Sequence, residues 1–447
     1  AASLQRNQAD GPPDGSSTLA GPTELLVGPG HVLTPGGLLP DHGVWIVAGR
    51  VRSIAPFAEL RGAHPDAGLL DARDGLIVPG LIDVASRCSG PAWRQHAIEC
   101  WPFTPPVEPA MFEEAVRNPV EAAMTPDDLR VVARLAAAEA LRAGVTSQCV
   151  WVPLPGDPAW LAGWLDWVAD AYLEAGGRVC VGLALDDRHP ATVESQIAEV
   201  QRFFLRAAQD PSGRLGAGLA LASPYAVSRA MAEAIRTMSF VTGDVRLLAI
   251  EMALDERDRE VARDGGELTL SRLDWLRTEG WLTPQLLIVG GQDFTVAEGQ
   301  ALANAGAHWV WSPSATAQTG ARQPIVEAAP QALAIGTGGH ANDLLAELQA
   351  ARGELRMRYG GTMTGVETAW DALFSGGPSV IARVFDDPPG ALREGAPADL
   401  VVLTPPDHLM EARGSRMGGA PSASGLSGTV AEAHPDSSSE VPRDDSP

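Results

Sequence analysis

Lysine, histidine, cysteine and carboxylate side chains carry most enzymatic chemistry, and one of the four is missing from this chain. All 33 basic residues are arginine. That excludes a Schiff-base lysine, a pyridoxal-phosphate anchor, a Walker-A lysine and a carbamylated lysine bridging two metals. Nine histidines are present, yet none sits two residues from another and none forms an i, i+4 pair. No local metal-ligand spacing exists. The four cysteines, Cys88, Cys100, Cys149 and Cys180, show no C-x-x-C spacing, which argues against a zinc knuckle or a disulfide framework. Chemistry must therefore come from residues gathered by the fold. The candidates lie at or just after short apolar runs: Asp83, Arg87, Cys88, Cys149, His189, Glu251 and His340, with His96 and Asp343 in similar loops. Converging, they would make a relocated metal or acid–base site. The competing explanation is ordinary loop residues. Cys88 is also a candidate nucleophile, because Arg87 beside it favours a thiolate, but no partner histidine is identifiable.

The elements that would position these groups follow from length and patterning. A chain of 447 residues suits one large domain of roughly 250–300 residues and a smaller module. With 45 % apolar and 20 % charged residues the bulk is globular. The formal charge of -23 disfavours nucleic acid and anionic membrane as partners. No apolar run approaches the roughly 18 residues needed to span a bilayer. The first residues offer neither a basic n-region nor an apolar h-region, so a cytoplasmic location with reduced thiols is expected.

Residues 1–23 and 410–447 are rich in Gly, Pro, Ser and Asp and read as a disordered arm and a disordered acidic tail. Residues 24–76 and 386–409 carry β-branched runs separated by turns and read as one small β-sandwich module built from both termini. Residues 77–385 alternate strands with helices. The strands are expected at Leu76–Asp83, Gln148–Val152, Arg178–Leu183, Ala217–Leu221, Arg246–Met252, Leu286–Gly290, Trp309–Ser312 and Ala332–Gly336. Between them lie helical patterns. The clearest start is Thr125-Pro126-Asp127-Asp128, a capping hydroxyl followed by proline and acids in the first turn. Eight such alternations predict a (β/α)₈ barrel, an α/β fold with its chemistry at the C-terminal ends of the strands. An open doubly wound sheet is the alternative, weakened by the absence of an early G-x-G-x-x-G.

The runs Gly49–Ile54, Leu70–Arg73 and Ile77–Asp83, then Pro126–Asp128 through Gly144-Val145-Thr146, then Ala396–Leu403, resemble the amidohydrolase superfamily in order and content. The nearest branch holds guanine deaminases, chlorohydrolases and related aminohydrolases. The resemblance spans roughly residues 24–403 and implies a metal-dependent hydrolase fold, in which imidazoles and an aspartate hold a divalent metal that activates water. Here those positions hold other residues. The His-x-His after Asp83 becomes Ala85 and Arg87. The His-x-x-Glu of strand five becomes Glu251 and Leu254, the strand-six histidine Gly290, and the strand-eight aspartate Gly338. A substrate-side histidine falls at or near Ala222.

This pattern implies an amidohydrolase-like protein without its metal centre: no metal and no cofactor, with zinc or iron expected only where a site has been rebuilt. Arg87 is expected to occupy the vacated volume, paired with Glu251. The leading expectation is a catalytically inactive structural or regulatory homologue, partnered with itself or with an active homologue as a dimer. The alternative is a divergent hydrolase of non-peptide C–N bonds in a small cyclic substrate, using Asp83, Glu251, His189 or His340. A third is a binding module that keeps the pocket for a small-molecule ligand.

Overall fold

The computed structural model describes residues 24–99, 113–242, 245–254, 256–263, 268–319, 324–326, 329–360 and 364–404. The expected arm at 1–23 and tail at 410–447 lie outside the described residues.

The chain opens with β1 (Glu24–Thr34), β2 (Gly37–Val47), β3 (Arg50–Pro56), β4 (Gly68–Leu70) and β5 (Gly75–Pro79). These build a small sheet in the order β17-β5-β1-β2-β3, with β4 beside β1. The final strand, β17 (Leu400–Leu403), thus returns from the far end of the chain to pair antiparallel with β5. Val27, Val32, Val44, Val51 and Ile77 form its apolar core.

The expected strand Leu76–Asp83 is two strands. Gly75–Pro79 belongs to the small sheet, and the barrel begins at β6 (Leu81–Ser86). The apolar run is continuous, but the hydrogen bonds change partner at Gly80. The Gly80 N–H donates to the Asp399 carbonyl at 2.8 Å, and the Leu81 N–H donates to the Gly144 carbonyl at 3.0 Å. A barrel start at residue 77 is therefore corrected to 81.

The remaining elements are β7 (Val145–Val152), β8 (Arg178–Leu185), β9 (Leu215–Ala217), β10 (Leu219–Leu221), β11 (Leu248–Met252), a hairpin of β12 (Glu260–Arg263) and β13 (Leu268–Ser271), β14 (Leu286–Gly290), β15 (His308–Trp311) and β16 (Leu333–Ile335). The parallel order β16-β15-β14-β11-β10-β8-β7-β6 is the (β/α)₈ barrel, not an open doubly wound sheet. The helix at Pro126–Arg142 begins as its sequence predicts: the Thr125 hydroxyl accepts from the Asp128 N–H, and the Asp128 carboxylate accepts from the Thr125 N–H.

Residues alternate along each strand. On β7, Cys149 and Trp151 face the lumen with Cys180, Ala220, Ala249, Leu287, Val310 and Ala334. Val150 and Val152 pack outward against the helices. Between β16 and β6 the barrel closes through a side chain. Buried Asp83 accepts from the Thr337 N–H at 3.1 Å, the Thr337 hydroxyl at 2.6 Å and the Ala85 N–H at 3.1 Å. The Gly338 N–H donates to the Ala85 carbonyl at 2.8 Å.

Candidate active site

The mouth of the barrel is organised around one buried carboxylate. Glu251 stands at the end of β11, and two guanidiniums converge on it. Arg87, just past β6, donates to Oε2 from Nη2. Arg117 donates from Nη1 to Oε1 at 3.1 Å and from Nη2 to Oε2 at 3.4 Å. Arg117 lies on a five-residue π-helical turn, Glu113–Arg117, and its Nη2 also meets Glu113 Oε1 at 3.1 Å. The side chains of Arg87, Arg117 and Glu251 are 10–12 % exposed, so the cluster is largely shielded from water.

Neighbouring charges set these two carboxyls apart. Burial would raise the pKa of Glu251, but the charges of Arg117 and Arg87 outweigh it and hold Glu251 down at about 2. Glu113 goes the other way. Burial raises it, Arg117 only partly offsets that, and Glu251 next to it raises it further.

The loop beyond Glu251 is fixed by a second network. Ala253 takes a left-handed φ of 57°, and its N–H donates to Asp258 at 2.7 Å. Asp258 and Asp293 both pair with Arg272, which is 1 % exposed. Glu251 is thereby held at a rigid strand end.

Among the described residues, two cavities beside the cluster include both Arg117 and Glu251 in their lining. The larger, about 450 Å³, is bounded by Arg87, Arg117, Arg188, His189, Ala222 and Ser223 among others. The smaller, about 60 Å³, lies toward Leu254, Gly290, Gly338 and His340. Glu113, Arg117 and Glu251 form the wall between them. The mouth has not collapsed around Arg87.

The sequence candidates separate accordingly. His189 lines the larger cavity, and His340 lines the smaller one on the opposite side of the wall. They do not converge. His189 accepts the Ala191 N–H on Nδ1 at 3.0 Å, and burial lowers its pKa. His340 bonds Gln318 through Nδ1 at 2.8 Å and packs edge-on against Trp93. Burial, then the charges of Arg117 and Arg87, lower it to about 3, so it is neutral at ordinary pH.

Three candidates sit elsewhere than expected. Asp83 is spent on closing the barrel seam and lines neither cavity. Its pKa is raised by burial. Cys149 is in the lumen facing Cys180 on the next strand, and that contact together with burial pushes its thiol up. Cys88 is fully buried. Burial and then Glu121 push its thiol up to about 12, outweighing Arg87, so the expected thiolate is corrected to a thiol. Asp343 caps the helix at Leu344–Tyr359 through the Leu345 and Ala346 N–H groups. The His96 side chain lies outside the described residues. Glu113 and Arg117 were not found by sequence reasoning. Their i, i+4 spacing of opposite charges was the available signal.

The chain is 26 % identical over 395 residues to an 8-oxoguanine deaminase of Pseudomonas aeruginosa, covering 83 % of this chain and 84 % of that protein. The resemblance to the amidohydrolase superfamily is borne out. Among solved amidohydrolase structures, an adenosine deaminase from Xanthomonas campestris with bound zinc superposes with a TM-score of 0.70 at 23 % identity, covering 84 % of each chain. An atrazine chlorohydrolase from Arthrobacter aurescens complexed with zinc gives 0.69 at 17 % identity, covering 84 % of this chain and 86 % of that one. No family model matches the chain. The amidohydrolase relatives are deaminases and hydrolases, and no described helix here is long and apolar enough to cross a membrane.

Proposed function

We propose that this chain is an amidohydrolase-fold protein without hydrolytic activity, acting as a structural or regulatory subunit. The observation that carries the reading is the Arg87–Glu251–Arg117 cluster, in which Arg87 and Glu251 stand at two of the positions matched to the resembled family's imidazoles. A divalent ion needs several neutral or anionic donors converging on one point. Ala85, Ala222, Leu254, Gly290 and Gly338 offer no side-chain donor, and Arg87 offers a cation. Glu251 is the remaining carboxylate, and both its oxygens are taken by guanidiniums. Among the described residues no group of three or more His, Cys, Asp or Glu side chains is placed to hold a metal ion. The residues present do not fit a divalent metal, and no hydrolytic step is routed through one.

The backbone supports the same reading. Gly290 has φ +121°, and a Cβ built there would meet the Met252 carbonyl oxygen at 2.5 Å. The family's imidazole cannot simply be put back. The fold, the apolar lumen and the mouth persist around a centre reorganised as an ion-pair cluster. A partner, either a second copy or an active homologue, gives such a subunit its role.

The test is elemental mass spectrometry of the purified protein after zinc reloading and dialysis, with turnover assays on aminated and chlorinated heterocycles. Near-zero metal and no turnover are expected. A stoichiometric, dialysis-resistant zinc or iron overturns the reading. Size-exclusion chromatography with light scattering then reports self-association, and pull-down with an active homologue reports the mixed assembly.

A further inference from the structure

We infer that the larger mouth cavity is a binding site for a small organic molecule bearing an oxyanion, held by Arg117 and Ser223. The inference rests on the silent-subunit reading, because it assigns the mouth to binding without turnover. Its volume of about 450 Å³ is within the usual range for small-molecule pockets, roughly 300–1,000 Å³.

Among the described residues, two polar atoms of its lining residues are buried without a protein partner: Arg117 Nε and Ser223 Oγ. Buried polar groups are almost always hydrogen-bonded, so such orphans call for an occupant. Ser223 is 5 % exposed, and it directly follows Ala222, at or near which the resemblance puts a substrate-side histidine. An arginine Nε–H can only donate, and a serine hydroxyl can donate as well. The partner missing at Arg117 Nε is therefore an acceptor, and the Ser223 hydroxyl can donate to an acceptor too.

The pairing inside the lining disfavours a cation. The carboxylates of the lining already hold donors from the protein. Glu251 has Arg87 and Arg117, and Glu113 has Arg117. Glu121 accepts from the Ser89 hydroxyl at 2.5 Å. Asp186 accepts from the Arg188 backbone N–H and Nε, both at 2.9 Å. An added cation would find no open carboxylate. An oxyanion would meet the Arg117 Nε–H and the Ser223 hydroxyl as donors. The organic body has its own surface: Leu154, Pro153, Ala184 and Ala222 on the walls, and Tyr225 with the Arg188 guanidinium 5.1 Å above its ring.

The test uses isothermal titration of the full-length, metal-analysed protein with benzoate, its uncharged isostere benzamide, and inorganic phosphate. Benzoate is expected to bind at least ten-fold more tightly than benzamide. Ser223→Ala is expected to weaken benzoate about ten-fold, the loss of one hydrogen bond to a charged group. Ser223→Ala removes a hydroxyl that has no protein partner, so folding is preserved and confirmed by the melting curve. Phosphate binding as tightly as benzoate retains the oxyanion site and removes the role of the apolar walls. Equal affinities for benzoate and benzamide, no binding of any probe, or an unchanged affinity in Ser223→Ala each overturns the proposal. A preparation that holds zinc and turns over a heterocycle overturns the silent-subunit reading instead, whatever benzoate does.

Discussion

Replacing Glu251 by glutamine keeps the shape of the cluster and removes its central charge. Two lines of arithmetic give the cost. The carboxyl falls from its usual 4.5 to about 2 in the fold, which at about 1.4 kcal/mol per unit is about 3 kcal/mol. Breaking a buried ion pair by removing one partner costs about 3–5 kcal/mol, because the other charge stays buried. The lower figure is expected at pH 7, since Glu113 is 3.1 Å from Arg117 and can ionise in compensation. The sign with pH follows from the lowered pKa. The stabilisation is complete above the unfolded pKa, near 4.5, and is lost as pH falls through about 2. Guanidinium unfolding followed by tryptophan fluorescence, at pH 7 and at pH 3, measures both. The Glu251→Gln deficit should be about 3 kcal/mol at pH 7 and distinctly smaller at pH 3. A deficit under about 0.5 kcal/mol at pH 7, or one independent of pH, refutes the view that this carboxylate anchors the mouth.

Three further outcomes follow from the same geometry. Glu113, with its pKa raised in the fold, contributes stability at low pH that is lost as pH rises through the folded pKa, so Glu113→Gln should match or exceed the wild type in unfolding midpoint at pH 8. Gly290→His should lower the melting temperature, the strained φ of +121° alone costing about 1–3 kcal/mol, without conferring zinc retention in elemental analysis. Cys88, buried with a thiol at about 12, should resist iodoacetamide at pH 8 in the native protein and react only after denaturation, as read by peptide mass spectrometry.

The barrel was legible because strand and helix periods are written locally. Arg178–Leu183 was expected and Arg178–Leu185 is found; the helix start at Thr125 matches to the residue. What failed was partner choice. The run from Leu76 to Asp83 reads as one strand, and only hydrogen-bond acceptors distant in sequence, at Asp399 and Gly144, divide it at Gly80. The site was legible at Arg87 and Glu251, where the strand ends bring matched charges together. Asp83 misled because a carboxylate at a strand end looks the same whether it faces the mouth or the neighbouring strand. Glu113 and Arg117 were missed because they sit on a helical turn between strands, where no strand-end rule points.

Both modules are completed by residues made late. The seam joins Asp83 to Thr337 across 254 residues, and the small sheet joins β5 to β17. Arg178 likewise reaches Asp399, 221 residues on. A chain emerging from the ribosome can therefore form its early helices, but the barrel sheet is not closed until Thr337 is free, and the small sheet not until Leu403 is. Until then the carboxylate of Asp83 and the unpaired edge of β5 wait for their partners. Nascent chains stopped short of β17 are therefore the ones expected to need a chaperone's shelter.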